Sequence, residues 1–299
     1  MTHRAFVITG PTAGIGYRTA LEVAGHGDVV LVGRDPAKLA AVRETIGRWG
    51  GTALPVVCDL AEPASVHQAA EEILALDLPL AGLLNNAGVS PTRPSTNRVG
   101  WDTTFATNHL GPFALTEALV PRLPDGANVV FICSAVEDPG RRFATMAGFR
   151  GGRYISAEAS ARGEWEPGGS PLAGGDAYAT SKQCNLATVL ALARETPRLR
   201  FNAVEPGFCP GSDLGRDANG VLRAVLKYVV SPVAPLFPLC SNPGTAARMI
   251  TTVLTASTGT GIYYDENGRP MHGSALVHDP DFQDRVVAET RTLLATVTT

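Results

Sequence analysis

The stretch AFVITGPTAGIG, residues 5–16, decides the fold. Its apolar run Ala5–Ile8 predicts a buried strand of a parallel sheet. A helical pattern follows the glycines and runs from Ile15 to Ala24. A strand, a tight glycine turn and a helix N-terminus form an anion site, because free backbone N–H groups and the helix dipole both point at a phosphate. The stretch therefore predicts a nucleotide site.

The spacing of the glycines in this loop is Gly-x-x-x-Gly-x-Gly, which differs from the commoner dinucleotide spacing Gly-x-Gly-x-x-Gly. A loop of this kind is by itself also compatible with an ordinary turn. Its place directly after a strand, and the residues that follow downstream, favour the nucleotide site. The loop residues expected to contact the cofactor are Gly10, Thr12, Gly14, Ile15 and Gly16.

A phenol and an ammonium group lie four positions apart in the segment YATSK, residues 178–182. On a helix, Tyr178 and Lys182 share one face. A nearby Lys⁺ favours the phenolate, so we expect it to lower the pKa of Tyr178. A phenol tuned in this way can donate or accept a proton near neutral pH.

Apolar, strand-like runs alternate with helical patterns along the rest of the chain. This alternation predicts an α/β fold, a doubly wound parallel sheet with helices on both faces. The expected strands after the first are Val29–Val32, Ala53–Val57, Leu80–Leu84, Asn128–Cys133, Arg200–Val204 and Gly261–Tyr264. The stretch from Asp279 to Val297 is predicted to be a C-terminal helix.

Composition narrows the classes of function. The hydrophobic share is 44%, enough for a sizeable core, and the net charge of −3 argues against a nucleic-acid partner. The five cysteines form no Cys-x-x-Cys pair, so we expect no metal site and no disulfide framework. The longest apolar stretch, Val221–Cys240, contains charges and three prolines, so no membrane span is expected. We expect a cytoplasmic protein without a signal peptide.

Taken in order, the motifs of this chain resemble those of the short-chain dehydrogenase/reductase family, from about residue 4 to about residue 265. The segments SKQCNL, residues 181–186, and GIYY, residues 261–264, are most similar to its retinol dehydrogenase and protochlorophyllide reductase branch. The resemblance implies a single NAD(P)-binding Rossmann domain over residues 1–299. The motifs that carry it are the loop Thr9–Gly16, the tetrapeptide NNAG at 85–88, Asn108, Ser134, Tyr178 with Lys182, and Pro206–Gly207.

The resemblance implies a catalytic tetrad of Asn108, Ser134, Tyr178 and Lys182. In the family, the Ser donates to the substrate oxygen, the Lys binds the nicotinamide ribose, and the Asn holds a water that links the Lys to solvent. The alternative for Ser134 is a plain turn serine. Cys133 stands where the family often has a second Ser. A Ser-His-Asp hydrolase is not indicated, because the Gly-x-Ser-x-Gly motif is absent from the sequence.

Two residues at the end of the second strand bear on the choice of cofactor. The guanidinium of Arg34 matches a 2′-phosphate, which favours NADP(H) over NAD(H). An acid such as Asp35 would favour NAD(H), but Pro36 makes Asp35 the expected N-cap of the next helix. The alternative is that Arg34 is only a solvated surface charge.

The ends of three further strands supply the remaining cofactor contacts. The resemblance implies that Asp59 contacts the adenine; a helix cap is an equally good interpretation. Small residues after the fourth strand let the backbone lie against the cofactor. The residues expected here are Asp59, Leu60, Asn86, Ala87, Gly88, Pro206 and Gly207, together with Tyr178 and Lys182.

Two irregular segments are expected to shape the substrate site. Ser134 and Tyr178 are 44 positions apart, a longer gap than most of the family has, so residues 138–175 are interpreted as an insertion. It would form a wall over the substrate, or cover the helix through which other members oligomerise; the oligomeric state stays open. Residues 208–242 are apolar and rich in proline, which suggests a substrate lid, with a pair of core helices as the alternative.

The sequence thus predicts an NADPH-dependent oxidoreductase, a ketoreductase or the reverse dehydrogenase, that acts on the carbonyl or alcohol of a bulky hydrophobic small molecule. One alternative is reduction of a C=C bond on the same fold. Another is a regulatory dinucleotide-binding protein without turnover. The substrate and the direction of the reaction stay open, because fold and tetrad do not set them.

Overall fold

Eight strands form one sheet in the computed structural model, which describes residues 4–207 and 242–297. The strand order is β3-β2-β1-β4-β5-β6-β7-β8, and every neighbouring pair is parallel except β7 and β8. The strands are β1 Ala5–Thr9, β2 Asp28–Gly33, β3 Ala53–Val57, β4 Leu80–Asn85, β5 Asn128–Ile132, β6 Arg200–Val204, β7 Ile262–Tyr264 and β8 Pro270–Met271.

Helices cover both faces of this sheet, as the alternation of patterns predicted. The described α-helices are α1 Gly14–Val23, α2 Pro36–Arg48, α3 Pro63–Ala75, α4 Thr103–Phe105, α5 Gly111–Leu119, α6 Arg142–Met146, α7 Ala157–Ala161, α8 Gly175–Glu195, α9 Pro243–Ala256 and α10 Pro280–Ala295. A π-helical turn, Ala106–Leu110, joins α4 to α5. Asp279 is the N-cap of α10 and accepts from the Asp281 N–H at 3.1 Å, which confirms the predicted helix.

The central strands are buried on both faces, which is why their sequences are continuously apolar. In β1, the side chain of Val7 packs into the core that contains α3, α5 and α8, whereas Phe6 and Ile8 pack into the core that contains α1, α2 and α9. The two cores hold the carboxyl ends of the strands at one edge. Ligands of open α/β sheets bind at this edge.

The sequence pattern did not predict β8. This strand has two residues and pairs antiparallel with β7, Tyr263 facing Met271 and Tyr264 facing Pro270. A two-residue strand is too short to show a period of two, and a proline argues against a strand on sequence grounds. The edge strand β8 therefore could not be predicted from the sequence pattern and is identified only by its pairing with β7.

The predicted insertion contains α6 and α7 and lies against α8 and α10. The Arg153 N–H donates to the hydroxyl of Thr180 on α8 at 2.8 Å, and the Tyr154 hydroxyl donates to Glu289 on α10 at 2.7 Å. Gly152 has no space for a side chain, since a Cβ there would lie 2.4 Å from atoms of Gln183. The predicted lid, residues 208–242, lies outside the described residues except for Asn242.

Candidate active site

The glycine loop between β1 and α1 is closed so tightly that two of its glycines cannot carry a side chain. Gly10 has φ +66°, and a Cβ there would lie 2.9 Å from Cα of Ala87. A Cβ on Gly16 would lie 2.2 Å from the carbonyl oxygen of Gly10. Closer than 3.0 Å, real Cβ atoms are essentially never found. The loop therefore brings bare backbone to the place where a pyrophosphate would lie.

The N-terminus of α1 has no side-chain cap. Its N-cap residue, Ala13, has none to offer, whereas Asp35 caps α2 and Asp279 caps α10. The first N–H groups of a helix need acceptors. A phosphate is a suitable one, so the loop and this helix end, which include Thr12, Gly14 and Ile15, fit a dinucleotide.

The end of β4 is tied to the end of β1 by side chains of the predicted motif. Asn86 donates its amide N–H to the carbonyl oxygens of Thr9 at 2.9 Å and Gly10 at 3.2 Å. The Thr9 hydroxyl accepts from the N–H groups of Asn86 and Ala87, both at 3.0 Å. A Cβ on Gly88 would lie 3.6 Å from Nζ of Lys182. The NNAG segment thus runs from the glycine loop to Lys182.

Arg34 and Asp35 follow β2, and their side chains differ in their contacts: Asp35 caps α2, whereas Arg34 is exposed. The Asp35 carboxylate accepts from the N–H groups of Ala37 at 3.0 Å and Lys38 at 3.1 Å, which confirms the predicted cap and lowers the pKa of Asp35. Arg34 is exposed at the carboxyl edge of the sheet. The carboxylate is therefore committed to the helix, while the guanidinium faces solvent.

Asp59 and Leu60 follow β3, and Asp59 does not cap α3. Its carboxylate accepts from the Ala61 N–H at 3.0 Å and closes a turn, while the N-cap of α3 is Glu62, without a side-chain bond. Leu60 is buried, and its carbonyl oxygen would lie 2.1 Å from a Cβ on Gly111. The helix-cap interpretation of Asp59 is thus wrong in detail: the residue closes a turn before the helix.

Tyr178 and Lys182 lie one turn apart on α8, as the spacing predicted. Nζ of Lys182 is 5.6 Å from the centre of the Tyr178 ring and donates to the carbonyl oxygen of Ile132 at 2.8 Å. Burial raises the pKa of Tyr178, and the charge of Glu205 raises it further. Burial also lowers the pKa of Lys182. The expected lowering of the phenol pKa is therefore not found in the protein alone.

Ser134 lies directly after β5, and its hydroxyl interacts with Tyr178 and Glu205. The interaction with its hydroxyl lowers the pKa of Tyr178 and that of Glu205, in opposition to burial, which raises both. The Ala135 N–H and the Gly207 N–H, the latter at 3.1 Å, both donate to the Glu205 carboxylate. Glu205 therefore connects the loop after β5 with the Pro206–Gly207 turn after β6.

Asn108 lies in the π-helical turn, a form of helix that is common at functional sites. Its amide accepts from the Val89 N–H at 2.8 Å and donates to the Val89 carbonyl at 2.9 Å and to Ser181 Oγ at 3.2 Å. Its backbone carbonyl accepts from Nδ2 of Asn185 at 2.8 Å. These bonds fix Asn108 near Gly88, next to Lys182. Both the oxygen and the nitrogen of its side-chain amide already have partners within the protein.

His109, the next residue, is fully buried and bonded at both ring nitrogens. Nδ1 lies 2.9 Å from Oδ1 of Asn185, and Nε2 lies 3.0 Å from Oγ1 of Thr290 on α10. Because Asn185 uses Nδ2 for Asn108, its Oδ1 must accept, so the ring proton is on Nδ1 and Thr290 donates to Nε2. Burial lowers the pKa of His109 to about 4. The imidazole is a neutral structural link between the π-helical turn, α8 and α10.

The insertion reaches Tyr178 through Phe149, and the centres of the two rings are 6.2 Å apart. The loop that carries Phe149 lies directly after α6. Phe149 thus lies beside Tyr178, while Tyr154 and α7 contact α10.

The structure brings all four tetrad residues to one place and puts the predicted cofactor residues along the same sheet edge. Sequence reasoning missed Glu205 and Phe149. Glu205 precedes the Pro-Gly motif that was singled out, so its position at a strand end was a usable signal. Phe149 had none, because its contact with Tyr178 depends on how the insertion folds.

The match to known proteins agrees with this geometry. The sequence profile of the short chain dehydrogenases matches residues 4–146. Mouse retinol dehydrogenase 12 is 37% identical over 237 residues, which are 77% of this chain and 68% of that protein. The chain belongs to the short-chain dehydrogenase/reductase family.

Two further members show how far the likeness to this family extends. Mouse polyprenol dehydrogenase is 33% identical over 76% of this chain, and the chain spans 65% of that protein's length. A Shigella flexneri protein solved in complex with NADP is 25% identical, with a TM-score of 0.64 over 89% of this chain and 98% of its own. Within residues 4–207 and 242–297 of this reductase-family chain, no helix has the length and apolarity to cross a bilayer.

Proposed function

We propose that the protein is an NADPH-dependent oxidoreductase that transfers hydride to or from the carbonyl or alcohol of a bulky hydrophobic small molecule. The observation that carries the proposal is the convergence of Ser134, Tyr178 and Lys182 beside Gly88, at the edge of the sheet where the glycine loop opens. A proton donor, a hydroxyl and a lysine meet there next to a dinucleotide cradle.

In this reaction, the bound nicotinamide supplies or accepts the hydride. Tyr178 donates its proton to the carbonyl oxygen in reduction and receives it back in oxidation. The Ser134 hydroxyl donates a second hydrogen bond to that oxygen and orients it. Lys182 stabilises the phenolate that remains and binds the ribose, and Asn108 ties Val89 to Ser181, the neighbour of Lys182 on α8.

NADP(H) is the preferred cofactor in this proposal, because Asp35, the carboxylate that follows Arg34 in sequence, is engaged as the N-cap of α2. The exposed guanidinium of Arg34 matches a 2′-phosphate in both charge and hydrogen-bond geometry. Related proteins of this fold, such as the one from Shigella flexneri, are found with NADP bound. Leu60, Asp59 and Ile15 would surround the adenosine end.

A hydrophobic substrate is supported by the wall next to Tyr178. The Phe149 ring packs at 6.2 Å from the Tyr178 ring, so a substrate carbonyl that reaches the phenol also meets an aromatic surface. Related proteins act on retinol and polyprenol, as their names state, and both are long apolar alcohols. Substrates without extended apolar surface would gain little from this wall.

The test is NADPH oxidation with a panel of aromatic, polyene and aliphatic aldehydes and ketones, with Tyr178→Phe as the matched variant. We expect turnover with the apolar members and a fall of about 10²-fold or more in Tyr178→Phe, since general acid catalysis is typically worth 10²–10⁴. NADPH affinity should hardly change, because only the hydroxyl is lost. NADPH binding without turnover on the entire panel would favour a regulatory dinucleotide-binding protein, and turnover with enones alone would favour reduction of a C=C bond.

A further inference from the structure

Two of the most exposed large apolar side chains among the described residues lie on α6, in the insertion. Met146 is 81% exposed and Phe143 is 69% exposed. Because they are three positions apart on one helix, they lie on the same face of it. Leu172, 42% exposed, lies at the end of this helix, since a Cβ on Gly148 would be 3.0 Å from its Cγ. Single apolar residues are ordinary on a protein surface, whereas a group of them marks a contact site.

Arginines stand at both ends of this apolar face. The segment RRFATMAGFRGGR, residues 141–153, contains four arginines and no acidic residue, in a chain whose net charge is −3. Arg142 is the first residue of α6 and directly precedes Phe143. Arg150 folds back to the other end of the helix, where its Nη1 donates to the carbonyl oxygen of Thr145 at 3.1 Å. Positive charge is therefore concentrated around the apolar face, against the sign of the whole chain.

The two arginines next to the apolar face are not neutralised by the protein. Within residues 4–207 and 242–297, no ion pair joins Arg142 or Arg150 to a carboxylate. The ion pair that lies nearest in sequence joins Arg141 to Asp138, with 3.5 Å between nitrogen and oxygen. A guanidinium without an acidic partner can bind an external anion, and its planar fork matches the oxygens of a phosphate.

The apolar face is continuous with the candidate active site. Three positions separate the exposed Met146 from Phe149, whose N–H closes the turn after α6 by donating to the carbonyl oxygen of Ala144 at 2.9 Å. The ring of Phe149 lies beside that of Tyr178, at 6.2 Å between centres. A surface that covers Phe143 and Met146 would therefore come close to the wall of the site.

We propose that residues 141–153, together with Leu172, dock on the surface of a membrane that contains anionic phospholipids. In this arrangement Phe143 and Met146 enter the boundary between headgroups and acyl chains, and the flanking arginines contact the lipid phosphates. The docking itself requires no assumption about the reaction. That it would bring the entrance for an apolar substrate to the lipid rests on the proposed function.

The size of the face favours a lipid surface over a protein partner. A stable protein interface buries about 800 Å² on each partner, which is more than three partly exposed side chains can offer. A membrane surface needs less, because its attraction for a basic segment adds to the burial of a few apolar side chains. The arginines supply the charge that is complementary to anionic headgroups.

The test is co-sedimentation of the full chain with vesicles of phosphatidylcholine alone and of phosphatidylcholine mixed with phosphatidylglycerol. We expect binding only to the vesicles that contain phosphatidylglycerol, and weaker binding at higher salt, because ions screen the headgroup charge. Arg142→Gln should weaken this binding about fivefold, since one basic residue near an anionic surface contributes about that factor. Phe143→Ser should weaken it about tenfold, because the burial of an aromatic ring is lost.

Trp49→Ser and Arg43→Gln are the matched controls. Trp49 follows α2 and is 73% exposed, and Arg43 is exposed on α2 itself. This helix packs into the core on one face of the sheet, whereas Tyr154 of the insertion packs into the core on the other. Both control variants should bind the anionic vesicles as the unmodified chain does. Thermal unfolding checks that all four variants fold, as the exposure of these side chains leads us to expect.

Absence of binding to the anionic vesicles, or equal binding to phosphatidylcholine alone, overturns the proposal. So does unchanged binding in Phe143→Ser and Arg142→Gln, or an equal loss in Trp49→Ser. A concentration-dependent dimer that Phe143→Ser abolishes, in protein that binds no vesicles, would assign the face to a second copy of this chain and would also overturn it. The assay contains neither cofactor nor substrate, so failure of the proposed function would appear as absent turnover with vesicle binding intact.

Discussion

The two halves of the site are held together by different means. On the nucleotide side, backbone lies against backbone: neither Gly10 nor Gly16 has space for a side chain, and the start of α1 has no side-chain cap. On the catalytic side, hydrogen bonds from buried side chains link separate segments: Asn108 is bonded to the backbone of Val89, and Glu205 accepts from two backbone N–H groups. A backbone cradle can be recognised from the spacing of glycines in one short segment. A network of side chains joins residues from distant parts of the sequence.

The most disruptive way to test this contrast is Gly16→Ala. The added methyl would lie 2.2 Å from the Gly10 oxygen and 2.3 Å from Nδ2 of Asn86, so the loop must open. Overpacking of this kind costs about 1–3 kcal/mol, and we expect up to about a hundredfold weaker NADPH binding in a fluorescence titration. Gly47→Ala in α2 is the control, since a Cβ there meets no atom within 4 Å. Unchanged affinity in Gly16→Ala would contradict the cradle.

Arg34→Ala tests whether a side chain adds specificity to the nucleotide side. A charge-assisted bond to the 2′-phosphate is worth about 1.5–3 kcal/mol, so the preference for NADPH over NADH should fall by a factor on the order of ten to a hundred. Paired titrations with both cofactors measure this ratio. Arg43→Ala, an exposed arginine on α2, should leave it unchanged. An unmodified protein that binds NADH as well as NADPH would show the assignment to be wrong.

Phe149→Ala tests whether the insertion contributes to the catalytic side. Loss of the half-buried ring beside Tyr178 removes about 1–2 kcal/mol of apolar contact, so KM for an apolar substrate should rise about tenfold. NADPH affinity should stay the same, because the ring lies away from the glycine loop. Phe143→Ala is the matched control: its ring is 69% exposed on α6. Equal effects of the two variants would mean that the Tyr178 contact is incidental.

Tyr154→Phe should affect activity least. It removes the bond to Glu289 that fastens the insertion to α10, a bond to a charged acceptor worth about 1.5–3 kcal/mol of unfolding free energy. Urea unfolding measures this loss. Tyr264→Phe, whose hydroxyl lies 3.2 Å from the uncharged Ser257 hydroxyl, should lose less. If the loss of turnover, expressed as an activation free energy, equals the loss of unfolding free energy, the insertion and the catalytic side form one cooperative unit.

The sequence predicted the sheet and the glycine loop because both depend on local patterns. Strands buried on both faces are continuous apolar runs, and β3 and β6 have the predicted bounds. The tetrad positions follow from short motifs. The predicted direction of the Tyr178 pKa was wrong for the protein alone, because spacing places Lys182 nearby but reveals neither the burial of the phenol nor the charge of Glu205.

The contacts of the insertion could not be predicted, because they join residues far apart in sequence. Tyr154 meets Glu289, and Arg153 meets Thr180, through pairings that no periodicity records. A glutamate before a Pro-Gly turn is usually a surface charge. The link that Glu205 makes between the loop after β5 and the turn after β6 depends on these strands lying side by side, which is a property of the sheet and not of the segment.

The bond between His109 and Thr290 has a consequence for the order in which the chain is completed. The two residues are separated by 181 positions, and the imidazole has no other partner for its Nε2 in the bonding pattern described above. At about 5–20 residues per second, a ribosome needs on the order of ten to forty seconds to pass from one to the other. During that interval the sheet can form up to β6, while the π-helical turn that carries Asn108 still lacks the hydrogen bond from His109 to Thr290. The bond between the π-helical turn and α10 therefore forms only after residue 290 has been synthesised, when β1 to β6 are already complete.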